Sequence, residues 1–212
     1  MHHHRLIGSR DLSSSAYVLR IERGKLEFAP GQYVTVGVAG DVESREYSIY
    51  SGVNDPYLEV LVKEVPGGEV SRRLRNLTPG SQLSIGGPFG FFTIAPEHAV
   101  KTILFVASGT GIAPFHAMIR TSPELDYFLL HGIRTLDECY EADSYEEDRY
   151  VPCVSRGEGG FQGRVTDYLR DNPVDAAMPC FLCGNSAMIF AAFDLLKGQG
   201  VPSGNLFAEV YF

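Results

Sequence analysis

The chain has 212 residues, 44% of them hydrophobic and 21% charged, a balance that excludes disordered and fibrous classes. Its formal charge is −8, and the excess lies late: residues 1–75 carry ten basic and ten acidic side chains, residues 76–212 eight and sixteen. Nucleic acid is excluded as a partner because phosphate recognition wants clustered Lys and Arg. A membrane span is excluded because no apolar run approaches the ~18–20 residues a spanning helix needs.

No signal-peptide pattern opens the chain. Its four cysteines are therefore expected as free thiols in the cytoplasm. The opening Met1-His2-His3-His4 reads as a tag remnant or a native tail and is left outside the fold. Residues 16–94 then read as β structure. Ala16–Glu22, Tyr33–Val38, Glu46–Ser51, Tyr57–Lys63 and Gln82–Gly86 are short alternating or apolar runs separated by Gly, Pro, Asn and Asp. Strands at this spacing predict an antiparallel β-barrel. One helix interrupts them at Glu69–Leu77, where Val70, Leu74 and Leu77 share a face between Pro66-Gly67-Gly68 and Pro79-Gly80.

After a link at Ala95–Lys101 the rhythm becomes strand and helix in alternation. Thr102–Ala107, Tyr127–His131, Tyr150–Val154, Cys180–Cys183 and Asn205–Val210 are strand candidates. Ala113–Arg120, Arg164–Arg170 and Ser186–Lys197 are helix candidates. Alternating β and α predicts a parallel sheet covered on both faces. The chain is thus expected to hold two domains, residues 5–95 and 100–212. The acidic run Asp137–Asp148 is expected as a solvated face or loop.

The first of the later strands runs into Ser108-Gly109-Thr110-Gly111-Ile112-Ala113-Pro114, and a helix follows. Glycines allow close backbone approach to a pyrophosphate, and the helix N-terminus supplies free N–H groups. Pro114 suits a first helical turn. An NAD-selecting site carries an acid near the end of the next strand, whereas here that strand ends His131-Gly132-Ile133-Arg134. Ser155-Arg156 ends the third strand, and Arg164 stands at a helix start. These guanidinium groups match a 2′-phosphate, which favours NADPH.

Taken together, the motifs resemble the ferredoxin–NADP reductase family over nearly the whole chain. Arg45-Glu46-Tyr47-Ser48 is similar to its flavin signature, and Gly68-Glu69-Val70-Ser71 to its Gly-x-x-Ser/Thr. Gly109-Thr110-Gly111-Ile112-Ala113-Pro114 is similar to its nicotinamide loop. Cys183-Gly184-Asn185 is similar to its late Cys-Gly motif, and Glu209-Val210-Tyr211-Phe212 to its termini. The resemblance implies FAD as cofactor, NADPH as hydride donor and a ferredoxin or flavodoxin as electron carrier.

It implies roles as well. Arg45 pairs with the FAD pyrophosphate, Tyr47 lies along the isoalloxazine and ribityl, and Ser48 hydrogen-bonds near flavin N5. Ile49 and the strand Leu61-Val62-Lys63 border the cofactor. Gly68, Val70 and Ser71 place a helix start under the FAD phosphates. Gly109, Thr110, Gly111, Pro114, Arg134, Ser155, Arg156, Arg164, Cys183 and Gly184 hold NADP. Tyr211 or Phe212 covers the flavin face, and Glu209 orients the nicotinamide or relays protons with Ser48. The loops at the FAD adenine end look trimmed, with no tail past Phe212 to cover it.

Cys180-Phe181-Leu182-Cys183 also invites a zinc or redox reading. Residues three apart on a strand face opposite ways, and Cys139 and Cys153 belong to no paired ligand motif, so no metal site is expected. Arg72, Arg73 and Arg75 offer a docking patch for an acidic carrier. Rival functions are a free-flavin reductase, the reductase component of an oxygenase, and a non-catalytic flavin-binding subunit. A monomer is expected.

Overall fold

The computed structural model describes residues 2–65 and 67–211. It divides into two compact units, Met1–Thr93 with Ala113–Pro123, and Ile94–Ile112 with Glu124–Phe212.

The first unit contains β1 (His2–Asp11), β2 (Ala16–Glu22), β3 (Tyr33–Val38), β4 (Ser44–Ser48), β5 (Tyr57–Lys63) and β6 (Gln82–Phe89), with helix α1 (Glu69–Arg75) between the last two strands. The strands run antiparallel in the order β4-β3-β6-β1-β2-β5, and a bridge from Ile49 to Val60 joins the two ends into a barrel. Strand periodicity turns Tyr17, Leu19 and Ile21 towards Val34, Val36, Leu58, Val60, Val62, Leu83 and Ile85. Val70 and Leu74 of α1 join the same core. On the other face of β5, Glu59 is buried and receives both Arg10 and Arg20, which satisfies a charge that would otherwise be costly to bury.

The N-terminus corrects the sequence reading. His2, His3 and His4 are paired strand residues, in register with Ile85, Ser84 and Leu83 of β6, and β1 stands inside the sheet with a neighbour on each side. The His4 ring nitrogen Nδ1 donates to the Glu22 carbonyl at 2.7 Å. This segment is part of the barrel.

The second unit opens with the short helix α2 (Pro96–Ala99), where the sequence suggested only a link. Its sheet holds β7 (Ile103–Ser108), β8 (Tyr127–Ile133), β9 (Tyr150–Val154), β10 (Phe161–Gln162), β11 (Cys180–Asn185) and β12 (Leu206–Tyr211). All the pairs are parallel, in the order β10-β9-β8-β7-β11-β12. Helices α4 (Val165–Asp171) and α5 (Ser186–Gly198) cover one face. There Leu104, Val106, Leu130, Cys153, Cys180 and Leu182 meet Val165, Leu169, Ile189, Ala192 and Leu196. The opposite face is aromatic, with Phe181 stacked on Phe207 at 4.5 Å and edge-on to Phe105. Helix α3 (Ala113–Thr121), which follows β7, groups with the barrel unit. There Arg120 pairs with Asp55 at 2.6 Å and His116 stacks on Tyr50 at 3.8 Å.

Candidate functional site

Strand order reverses between β7 and β11, and crevices at the carboxyl ends of strands on either side of such a reversal accept ligands. At that point Gly109–Ile112 forms a 3-10 turn after β7. Gly109 adopts φ +52. Gly111 lies against β11: a Cβ there would overlap the Cys183 carbonyl and stand 2.7 Å from Gly184 Cα. Gly184 in turn has φ +129, and a side chain on it would overlap Ser108 Oγ. The Asn185 N–H donates to Ser108 Oγ at 2.9 Å. Gly111 and Gly184 therefore fit only as glycines, leaving the turn free of side-chain bulk at its closest approach to β11.

Register puts Cys183 between Ala107 and Glu209. The thiol is fully buried. Burial, and secondly the Glu209 charge, push it well above the ordinary thiol range, against a hydrogen bond with Tyr211. The thiol is therefore held in its neutral form. Three of the sequence-derived residues, Cys183, Glu209 and Tyr211, meet here. Cys180 points to the helix-covered face and is part of that core. Phe212 lies outside the described residues.

The candidate phosphate clamp gathers at the same end of the sheet. Arg134, Ser155, Arg156 and Arg164 are all exposed. The Arg156 N–H donates to the Arg134 carbonyl at 2.8 Å, and the Ser155 hydroxyl donates to the Ile133 carbonyl at 3.0 Å. Arg164 precedes α4, where the Asp167 carboxylate accepts its N–H at 2.9 Å. That bond, followed by the Arg170 contact, holds the Asp167 carboxyl below the usual range. Within the acidic run, Glu138 departs from the solvated reading: it is buried and accepts the Arg134 N–H at 2.9 Å.

Sequence reading passed over one member of this region. His131 is fully buried, with Nε2 2.8 Å from the Gly109 carbonyl and Nδ1 2.9 Å from the Tyr150 hydroxyl. Burial lowers its pKa to about 4, so the ring is neutral. The available signal was a histidine inside an otherwise apolar strand, Tyr127–Ile133.

In the barrel unit, β4 ends at buried Ser48. Arg45 is exposed and donates to the Ser44 carbonyl at 2.8 Å. Burial pushes the Tyr47 phenol up to about 12, against the Arg45 charge, and it remains a donor. β5 is the terminal strand of the sheet order, and its outer edge is bridged to Ile49 at Val60. The backbone of Leu61, Val62 and Lys63 follows beyond that bridge. Ile49, Val62 and Val70 turn their side chains into the core, so their backbone is what a ligand can meet. Ser71 is buried and accepts the Val65 N–H through Oγ at 3.5 Å. Gly68 caps α1 with no side-chain hydrogen bond. An exposed guanidinium, a protonated phenol, a strand edge and a bare helix start fit a flavin dinucleotide.

Of the α1 arginines expected to dock a carrier, two are ion-paired within the barrel unit. Arg73 pairs with Asp41 at 2.9 Å and with Glu69, while Arg75 pairs with Asp11 at 2.9 Å and with Glu64. Their charge is answered locally, and of the three arginines Arg72 carries no ion pair among the described residues.

This pairing of a barrel and a parallel sheet defines a flavin- and nicotinamide-dependent oxidoreductase class. Residues 3–94 match the family model "Oxidoreductase FAD-binding domain", and residues 105–193 match "Oxidoreductase NAD-binding domain". Ferredoxin–NADP reductase B of Sorangium cellulosum is 32% identical, with 98% of this chain and 96% of that protein covered. The chain belongs to the ferredoxin–NADP reductase family. The toluate 1,2-dioxygenase electron transfer component of Pseudomonas putida is 30% identical over 95% of this chain and 65% of its own length. The chain spans 57–65% of the first oxygenase reductase components it matches. A Neisseria gonorrhoeae ferredoxin NADP+ reductase, solved with bound FAD and NADP, shares the fold with a TM-score of 0.89 at 19% identity, covering 100% of this chain and 98% of that one.

Proposed function

We propose that this chain is a reductase that takes hydride from NADPH and passes electrons singly to a ferredoxin or flavodoxin. The observation that carries the reading is the glycine turn after β7, seated on Cys183-Gly184 beside Glu209 at the point where strand order reverses. Bound FAD supplies the chemistry that converts a two-electron donor into single electrons. The protein's share is alignment and exclusion of water.

In this assignment residues 5–95, with the strand residues before them, hold FAD, and residues 100–212 hold the nucleotide. Arg45 and the start of α1 at Gly68–Ser71 take the FAD phosphates. Tyr47 and the backbone of Ile49 and Leu61–Lys63 border the ring system, with Ser48 at its reactive edge. Thr110 and its flanking glycines take the nucleotide pyrophosphate, Pro114 starts the helix behind it, and Arg134, Ser155, Arg156 and Arg164 select the 2′-phosphate. Neutral Cys183 packs against the nicotinamide, Glu209 orients it, and Tyr211 is the gate that leaves when nucleotide arrives.

The reading takes the chain as a cytoplasmic monomer. Among the described residues no helix is long and apolar enough to cross a membrane.

A second reading is favoured by the dioxygenase electron transfer component among the relatives: the flavin and nucleotide portion of an oxygenase system. Carrier-dependent reduction separates the two. The first reading expects NADPH-driven reduction of cytochrome c to rise severalfold when ferredoxin or flavodoxin is added. No stimulation by either carrier contradicts it and leaves the oxygenase partner. Activity only on added free flavin, with no FAD retained through purification, contradicts both and favours a free-flavin reductase.

A further inference from the structure

The nucleotide loop is held at three places. Its start is tied by Ser108 Oγ to the Asn185 N–H, and its end is wedged by Gly111 against Cys183-Gly184. Between them lies the Gly109 carbonyl, held by a side chain from a different strand. We infer that His131, itself fixed by Tyr150, is a positioning residue that sets the peptide orientation in the nucleotide loop. This rests on the reading of Ser108–Ile112 as the pyridine-nucleotide loop.

A carbonyl oxygen only accepts, so the 2.8 Å contact with Gly109 requires the proton on Nε2. In a neutral imidazole Nδ1 is then an acceptor, and the Tyr150 hydroxyl donates to it at 2.9 Å. Tyr150 is suited to this task because burial raises its phenol above the ordinary range, so it keeps its proton. The tautomer is therefore set by two partners on opposite sides of the ring.

Position follows from register. β7 and β8 pair Ala107 with His131 and Ser108 with Gly132, so the imidazole stands beside the last turn of chain before the loop. The ring is fully buried and reaches the loop from within the protein. A trans peptide is planar, with its C=O and N–H directed opposite ways. Drawing the Gly109 carbonyl towards His131 consequently directs the Thr110 N–H away from it, to the outer side of the turn. Gly109 sits at φ +52, a region glycine enters and leaves without steric cost, so only outside contacts select one peptide orientation there. The histidine bond is such a contact, and an N–H fixed before the ligand arrives spares the cost of ordering it on binding.

The test uses full-length protein carrying its flavin and three variants: His131→Leu, His131→Gln and Tyr150→Phe. Nucleotide affinity is read by calorimetric titration with NADP+ and separately with NAD+, and FAD content by absorbance per protein. His131→Leu should weaken the preferred nucleotide at least tenfold with FAD content unchanged, raising KM for NADPH while kcat at saturation stays within about twofold. A glutamine amide nitrogen reaches the place of Nε2, so His131→Gln should recover most of the affinity. Tyr150→Phe should fall between, near threefold.

Unchanged affinity in His131→Leu overturns the inference. So does parallel loss of FAD and nucleotide with no recovery by glutamine, which marks a packing residue only. Wild-type protein that binds neither nucleotide overturns the reading of the loop itself, and the inference with it.

Discussion

Each unit presents a glycine turn that opens a helical segment, and the two turns are built to different tolerances. Gly68, before α1, has an ordinary φ of −72. A Cβ there would stand 3.0 Å from Ser71 Oγ and 3.1 Å from the Val65 carbonyl, contacts that a small shift of a surface turn relieves. Gly111 faces main chain on the neighbouring strand, where a Cβ overlaps the Cys183 carbonyl. The barrel thus offers its ligand a loose edge assembled from side chains and strand backbone. The parallel sheet offers a turn whose shape is fixed by the strand beside it.

The sharpest way to break that comparison is to place a methyl at each turn. Gly111→Ala must push the turn away from the end of β11, and overpacking of this kind costs about 1–3 kcal/mol. Because the displaced atoms are those of the nucleotide turn, the loss should appear as NADP+ affinity falling by about 100-fold, which is about 2.7 kcal/mol. Gly68→Ala should change FAD retention no more than a few-fold. Titration of both variants checks this, and equal losses in the two would erase the distinction.

Acid distinguishes the units next. The barrel's buried Glu59 has Arg10 and Arg20 as partners, whereas the sheet unit buries His131 as a neutral ring. Its pKa falls from 6.5 to about 4 on folding, so between these values the unfolded chain binds the proton and the folded chain does not. Stability from this group is complete above pH 6.5 and is lost progressively as pH drops towards 4, by as much as about 3 kcal/mol. Urea unfolding at pH 7.5 and 4.5 measures it, and His131→Gln should flatten the difference. A wild-type protein equally stable at both pH values would show that the histidine is not the source.

How far the sequence carried is best seen strand by strand. Ala16–Glu22, Tyr33–Val38, Tyr57–Lys63 and Tyr150–Val154 stand with the bounds their alternation and flanking breakers predict. β1 escaped because His2-His3-His4-Arg5 carries no apolar rhythm; its place comes from pairing with β6, some eighty residues later in the chain. The glycine turn and the Cys-Gly strand end were legible as local words. Their contact was not, since it depends on β7 and β11 being neighbours. For the same reason His131 was read only as the end of a strand. The arginines of α1 looked like a free patch because Asp41, Asp11 and Glu64 reach them only in the folded barrel.

Two arginines of the barrel unit sharpen the comparison further. With Arg45 in its proposed place at the FAD phosphates, Arg45→Ala should cost a charge-assisted contact of about 1.5–3 kcal/mol, or a ten- to hundredfold weaker hold on FAD in dialysis. Arg73→Ala breaks exposed, solvent-screened pairs and should leave both FAD content and carrier reduction within twofold. Strong loss of carrier reduction in Arg73→Ala would instead mark α1 as a docking surface.

On the proposed function, this chain holds FAD and reduces it with NADPH in preference to NADH. The most direct test is an anaerobic visible spectrum of the purified protein, titrated with each nucleotide in turn. The account predicts a bound flavin bleached rapidly by NADPH and much more slowly by NADH. A bound flavin indifferent to both nucleotides would contradict it.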